Sequence, residues 1–396
     1  MSELERLINE LCPNGVEFKK IKEVYKRIKG TPITAGKMKE IENPDGDIRV
    51  FAGGKTVINA FEEDIPNANI TRVPAVLVQS RGVIDAVYYD KPFTFKNEMW
   101  AYTTDNPVAV KFLYYVLKNN VQQFRDAASG MGALPQISLP VTEEFVMPVP
   151  PIEVQGEIVR ILDNFTELTA ELTAELTARK KQYEYYRNSL LGLDINENIK
   201  IKTIGEISNY RRGSFPQPYG KPEWYDGDGA MPFVQVADIG DDMRLVSDTK
   251  RKISKVAQPK SVFAPKGSII ISLQGSIGRI AVTQYDAYID RTVAIFSDIS
   301  EELLPRYFVY QLQRVFAEKE KTARGSTIKT ITKEEFTAFP IAIPPVEEQK
   351  RIISILDRFN AICNDISTGL PAEIEARQKQ YEYYRDKLLT FQEVRV

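Results

Sequence analysis

Tyr183-Glu-Tyr-Tyr-Arg187 returns as Tyr381-Glu-Tyr-Tyr-Arg385, 198 residues further along the chain. Other landmarks travel with it. Pro150-Pro-Ile-Glu-Val-Gln155, followed by Ile161-Leu-Asp163 and Phe165, matches Pro344-Pro-Val-Glu-Glu-Gln349, followed by Ile355-Leu-Asp357 and Phe359, at an offset of 194. A weaker match pairs Val16, Phe18, Ile21, Glu23 and Val24 with Ile199, Ile201, Ile204, Glu206 and Ile207, at an offset of 183. Self-similarity on this scale makes the chain two diverged copies of one unit. The changing offsets make the second globular part 11 residues longer and the second helical part 4 longer. Between the landmarks the copies share only a faint pattern, such as Gly82-Val-Ile beside Gly275-Ser-Ile, so a common frame holds two different inserts.

After each Pro-Pro a helix should begin, because proline is tolerated in a first turn and the following glutamates suit the positive end of the helix dipole. Ile158, Ile161, Leu162, Phe165, Leu168, Leu172, Leu176, Tyr183 and Tyr186 then recur at helical spacing, forming one apolar stripe on a helix of about 40 residues. The second copy offers a matching stripe through Ile352, Ile355, Leu356, Phe359, Tyr381 and Tyr384. Packing the two stripes together as an antiparallel coiled coil satisfies both. The tetrad Leu-Thr-Ala-Glu occurs at 168–171 and 172–175 and decays at Leu176-Thr-Ala-Arg179. In the corresponding zone of the second copy Gly369 and Pro371 should kink or interrupt the helix, making the two unequal.

The inserts read as mixed α and β. Val73 to Val78, Phe93 to Phe95, Ser268 to Leu273 and Ile280 to Thr283 look like short strands, while Val108 to Phe124 and Leu303 to Glu320 look like helices. The expected class is α+β: two tandem mixed inserts, each followed by a long helix, with pseudo-twofold, circular symmetry. The expected division is 1–150, an insert with an N-terminal helix; 151–192, the central helix; 193–344, the second insert; and 345–396, the C-terminal helix.

Composition narrows the chemistry. Lys and Arg number 52 against 54 Asp and Glu, a net charge of −2, so any basic surface must be local. Histidine is absent, which removes Ser-His-Asp and Cys-His pairs and histidine-based metal sites together. Cys12 and Cys363 make neither a zinc cluster nor a disulfide framework, and read as packing residues of a cytoplasmic protein. The longest strongly apolar stretch, near Ile269 to Leu273, is too short to span a bilayer. Phe51-Ala-Gly-Gly-Lys-Thr56 ends like a P-loop, but Arg49 stands where the first glycine is required, so it reads as a turn. Neither an Asn-Pro-Pro-Tyr-type methyltransferase motif nor a Gly-x-Gly-x-x-Gly fingerprint is present. The Glu-x-Lys triplets at Glu17 and Glu348 are poor nuclease candidates, since one lacks an upstream aspartate and the other opens the frame helix.

The duplicated Pro-Pro-x-x-x-Gln, the Tyr-Glu-Tyr-Tyr-Arg repeat and the tetrads together resemble the specificity (S) subunits of type I restriction-modification systems, over essentially the whole chain. The tetrad tract is similar to the branch whose central region carries repeated Thr-Ala-Glu-Leu. The resemblance implies two target recognition domains, each reading half of a split double-stranded DNA sequence, held apart by two long helices. It implies two methyltransferase (M) subunits docked on this frame, restriction (R) subunits in the full complex, and no catalytic residue, metal or cofactor on this chain. S-adenosylmethionine, ATP and Mg are expected on the partner subunits alone, with no membrane involved. In that family tetrad number acts as a ruler for the unread gap.

Local charge agrees with DNA contact. Lys19 to Lys39 holds Lys19, Lys20, Lys22, Lys26, Arg27, Lys29, Lys37 and Lys39 against Glu23, a local excess of +7; Arg244 to Lys266 reaches +6. Such residues suit phosphates, which orient without specifying; a solvated face accounts for the same runs. For base readout, residues of glycine-flanked loops are favoured: Gln79, Ser80 and Arg81 in the first copy, Gln274, Ser276 and Arg279 in the second, because Arg suits guanine and Gln suits adenine. Lys37, Lys39, Arg211, Arg212, Lys250, Arg251, Lys252, Arg324, Thr327 and Lys329 are further candidates for backbone or base contact. Leu168, Leu172, Leu176, Tyr183, Tyr186, Tyr381 and Tyr384 are assigned to the helix seam. Two other functions compete: a coiled-coil scaffold without DNA readout, and a metal-dependent enzyme using Asp and Glu in a two-domain cleft. The latter accounts for neither the repeat nor the tetrads.

Overall fold

The computed structural model describes residues 2–54, 56–129, 134–192, 199–322, 332–364 and 368–394. The chain forms two compact units, Met1–Ala170 with Ala376–Val396, and Glu171–Glu375. Each therefore combines one insert with helical segments drawn from both copies of the repeat.

An antiparallel two-stranded ribbon closes the base of each insert. In the first unit Glu17–Lys20 pairs with Val146–Val149, Glu17 opposite Val149. In the second, Lys200–Thr203 pairs with Pro340–Ile343, Lys200 opposite Ile343. The weak repeat at Phe18 and Ile201 marks these ribbons.

Above the ribbons the inserts share one architecture despite their divergence. The first carries a four-stranded antiparallel sheet in the order Lys26–Ile28, Trp100–Thr103, Ala75–Gln79, Asp85–Tyr89. The second repeats it with Asn209–Arg212, Val293–Ser297, Ile269–Ser272 and Ile280–Val282. The registers correspond: Ile28 faces Ala101 and Val78 faces Trp100, as Arg212 faces Ala294 and Ser272 faces Val293. Each insert also has a second sheet containing one parallel pair, Ile48–Phe51 with Phe93–Phe95, and Met231–Val234 with Ala287–Ile289. Ala75–Gln79 and Ile269–Ser272 are buried at every position, which is why continuous Val and Ile runs suit them.

The sequence places these elements to within a few residues. Its first strand begins at Ala75 rather than Val73, because Pro74 has no N–H for a ladder and Val73 stays exposed. The helix expected over Val108 to Phe124 is two, Pro107–Asn119 and Val121–Asp126, divided at Asn120, whose side-chain amide donates to the Val116 carbonyl at 2.8 Å. The second insert's helix runs Pro305–Thr322.

The central helix runs uninterrupted over Ile152–Leu190, 39 residues. Its second-copy equivalent is two helices, Val346–Asn364 and Leu370–Leu388, with Pro371 in the first turn of the latter, so the helical parts are unequal as Gly369 and Pro371 predict. The glutamine of each Pro-Pro motif staples the helix start. Gln155 N–H donates to the Pro151 carbonyl at 3.0 Å and its side chain to Pro150 at 2.7 Å; Gln349 repeats both contacts with Pro345 and Pro344 at 3.1 and 2.9 Å.

Within each unit the helical segments pack through aromatic side chains. Phe165 stacks on Tyr384 in the first unit. In the second, Tyr183 and Tyr186 both meet Phe359. Asp163 and Asp357 of the repeated Ile-Leu-Asp tie helix to insert. Tyr115 and Lys111 reach Asp163 at 2.5 and 2.7 Å, and Arg306 reaches Asp357 at 2.8 Å with the Tyr310 hydroxyl also donating to it. Among the described residues, no helix is long and apolar enough to cross a membrane.

Candidate nucleic-acid interface

The strand registers bring three chain segments to one end of each four-stranded sheet. In the second unit Arg212 ends an edge strand, and the next residue, Gly213, donates its N–H to Val293 at 2.8 Å. Arg291 and Thr292 lead into Val293, and the Leu273 N–H donates to Thr292 at 2.8 Å as the chain leaves the neighbouring strand. Arg211, Arg212, Arg291 and the loop from Gln274 to Ser276 therefore share one end. Gly275 and Gly278, at φ +79° and +85°, allow the loop its left-handed turns. Gln274 and Ser276 are exposed, and neither side chain is engaged by another among the described residues.

Arg279 plays a different part. It is half-buried, donating to the Ile239 carbonyl at 2.7 Å and pairing with Asp241 at 3.3 Å, so it braces the loop from beneath rather than projecting from it.

The equivalent end of the first unit corrects two expectations. Gln79 is buried at the end of its strand, opposite Asp85, and Ser80 is fully buried with its hydroxyl donating to the Glu98 carbonyl. Neither can meet a base edge without unpacking the sheet. Arg81 is exposed, its carbonyl accepting from Gly54 N–H at 3.2 Å and its backbone bridged to Gln136. Gly82 donates to the Pro135 carbonyl at 2.8 Å. Gly53–Gly54, Arg81–Gly82 and Pro135–Gln136 thus form one crest, with Arg81, Pro135 and Gln136 exposed. The P-loop-like stretch, in which Lys55 lies outside the described residues, falls between the antiparallel strands Ile48–Phe51 and Val57–Ala60, with the Ala52 N–H donating to the Thr56 carbonyl at 2.9 Å.

The two basic runs differ in state. Six of the eight cations between Lys19 and Lys39 are ion-paired: Lys19 with Glu17, Lys20 and Lys22 with Glu144, Lys26 with Asp105, Arg27 with Glu143 and Lys37 with Glu40. Lys20 and Lys22 together hold the Glu144 carboxyl down at about 2. Lys39 is exposed and has no acidic partner among the described residues. Of the seven cations between Arg244 and Lys266, Lys252 alone has an ion-pair partner among the described residues, Asp248 at 3.5 Å. Lys250 and Arg251 are exposed beside it. Arg324, Thr327 and Lys329 lie outside the described residues.

The seam tyrosines are where their repetition puts them: Tyr183 buried, Tyr186 and Tyr384 stacked on phenylalanines, Tyr381 packed against the first core. Burial pushes the Tyr183 hydroxyl up to about 12. Leu168, Leu172 and Leu176 are half-buried, and Leu176 packs on the second unit's core.

Two exposed residues escape sequence reasoning, Arg291 and Gln136. Arg291 stands alone in sequence and reaches this end of the sheet only through the pairing of Val293 with Ser272. Gln136 had a signal, since its segment faintly matches the one containing Lys329. Among the described residues no three Cys, Asp or Glu side chains gather as a metal site.

Comparison with known proteins accounts for the arrangement. A family model described as the type I restriction modification DNA specificity domain matches twice, over residues 13–179 and 196–376. The chain is 31% identical over 361 residues to the specificity subunit of the Escherichia coli type I restriction enzyme EcoR124I/EcoR124II, covering 87% of each. In fold it is similar to the type I restriction-modification S subunit from M. genitalium, with a TM-score of 0.58, 17% identity and coverage of 94% of this chain and 95% of that one. A chain from a structure of complex assembly and conformational transition in a type I system gives a TM-score of 0.56 at 17% identity, covering 95% and 98%.

Proposed function

We propose, from the fact that the chain belongs to the type I restriction-modification DNA specificity subunits, that its two inserts each read one half of a split double-stranded DNA site and leave the bases between unread. The chain is the recognition component; methyl transfer and cleavage are the work of other subunits. Two methyltransferase subunits dock on the helical frame, restriction subunits join them, and S-adenosylmethionine, ATP and Mg are bound there rather than here.

One observation carries this mode of readout. The same sheet end, in the same register, exposes different residues in the two units: Arg81 beside Gly82 in one, Gln274 and Ser276 around Gly275 in the other. Corresponding loops with unlike hydrogen-bonding groups are what two readers of unlike half-sites require. Arg81 suits the O6 and N7 acceptors of guanine, and Gln274 the N6 and N7 edge of adenine. Arg211, Arg212, Lys39, Lys250 and Arg251 supply phosphate contacts that set orientation. Gln79, Ser80 and Arg279 shape the loops from below.

The test is to map methylated adenines in DNA from cells expressing this chain with its cognate methyltransferase subunit. The expected result is a two-part motif that loses one half, and only that half, when one insert is exchanged for that of another specificity subunit. Methylation unaltered by either exchange would overturn the assignment.

A further inference from the structure

The second unit holds a group of cations that are seated without being neutralised. Phe215, Tyr219 and Tyr225 form one aromatic cluster, with ring centroids 4.8, 5.2 and 6.4 Å apart, and Trp224 packs in the same group. Over its rim stand three exposed cations. Arg251 lies 4.9 Å from the Tyr225 ring, Lys260 4.8 Å from Trp224 and Arg291 5.8 Å from Tyr219. None of the three has an ion-pair partner among the described residues. Lys221, also over Trp224, is the exception, pairing with Glu223 at 3.3 Å. Asp226 and Asp228 on the neighbouring turn form no ion pair with the three.

This differs in kind from the first unit. There six of the eight cations of the basic run are held by carboxylates, which fix each side chain and cancel its field together. Lys111, which does lie over the ring of Tyr88, is also paired with Asp163. A ring face attracts a cation through its quadrupole and carries no net charge, so it orients the side chain while leaving the full positive charge to solvent. Pre-oriented, uncompensated charge attracts a polyanion backbone and releases its counterions on contact. Arg291 belongs both to the patch, over Tyr219, and to the sheet end that exposes Gln274 and Ser276.

We propose that Arg251, Lys260 and Arg291 form a phosphate-gripping surface for double-stranded DNA, that this surface carries most of the salt-dependent part of binding, and that the first unit has no equivalent. This rests on the DNA-recognition reading above and divides its labour: both units read sequence, while the second supplies most of the general electrostatic hold.

The experiment uses the full chain assembled with its methyltransferase subunits and measures binding across a salt series to two duplexes, one with the mapped methylation site and one unrelated. Each phosphate contact contributes about 0.9 to the slope of log affinity against log salt. Arg251→Gln/Lys260→Gln/Arg291→Gln is expected to lower the slope by about 2 to 3 and to weaken both duplexes by the same factor, with the methylated motif unchanged. Lys20→Gln/Lys26→Gln/Lys37→Gln removes as many charges from the first unit and should lower it by less than about 1. Equal slope losses in the two triple variants overturn the proposal, as does a shift in the methylated motif. Single exchanges at Lys260 and Arg291, with unchanged melting, repeat the test at about one contact each. Wild-type binding without preference for the mapped site would sink sequence readout instead, and the slope comparison still decides the patch.

Discussion

Phe165 stacks on Tyr384 with ring centroids 5.5 Å apart and planes inclined by 22°. The pair at matching repeat positions, Phe359 and Tyr186, stacks at 5.4 Å and 30°. In both, the phenylalanine following one Pro-Pro motif meets the Tyr-Glu-Tyr-Tyr-Arg motif of the other copy. Each repeat thus completes the partner's unit rather than its own.

This crossing has a thermodynamic signature. Phe165→Ala and Tyr384→Ala should each destabilise the first unit by about 2 kcal/mol. A double-mutant cycle between them should show a coupling of about 1 kcal/mol, as for an offset-stacked pair. Phe165 and Tyr186, 21 residues apart on one helix and so about 30 Å apart, should not couple. Urea unfolding of the wild type, the three single variants and the two double variants measures both cycles.

Arg81→Ala should relax one half of the methylated motif and Gln274→Ala the other, each costing about 1 to 3 kcal/mol of discrimination at one base pair. Gln79→Ala and Arg279→Ala should leave the motif intact and lower the melting temperature, because both side chains are occupied in the fold. Methylome sequencing with thermal melting separates the two classes. A motif changed by Gln79→Ala would return that residue to the readers.

Tyr183 gives the second unit an alkaline limit. Its folded value of about 12 lies above the ordinary 10, so the neutral phenol is the form that the fold accommodates. Its contribution is complete below pH 10 and is lost as pH rises through 12. The stability difference between the wild type and Tyr183→Phe should therefore shift in favour of the variant across that window. A difference that stays constant with pH would show that Tyr183 ionises equally well folded and unfolded.

Removing the tetrad Leu168–Glu171 shortens the central helix by four residues, about 6 Å. With base pairs rising about 3.4 Å each, the gap between the half-motifs should shrink by one or two base pairs while both halves survive. A changed half-motif in the mapped methylation pattern would contradict the ruler.

The frame was legible because periodicity and duplication report on local structure. Pro150 and Pro344 mark helix starts, and Tyr186 and Tyr384 mark one seam twice. The reading residues were legible only in part. Gly82 and Gly275 point to the right loops, but the burial of Gln79 and Ser80 depends on the strand beginning at Asp85 and the carbonyl of Glu98, which no local pattern announces. The pairing within the charge run from Lys19 to Lys39 was illegible for a similar reason: Lys22, Lys26 and Arg27 find their acids 122, 79 and 116 residues away. Conversely Arg291, isolated in sequence, acquires a setting only once Tyr219 is folded beneath it.

The ribbons at the base of the inserts bear on how such a chain changes over generations. Glu17 lies opposite Val149, and Lys200 opposite Ile343, so everything between is a cassette whose two ends stay neighbours whatever it contains. Closing a loop longer by 11 residues adds little entropy cost, since that cost grows only logarithmically with length. A genetic crossover falling in the codons for two ribbon strands would therefore import a foreign cassette without disturbing the Pro-Pro helix starts or the Phe–Tyr stacks. A lineage can acquire a new recognition insert in a single recombination, while the helical frame is inherited unchanged.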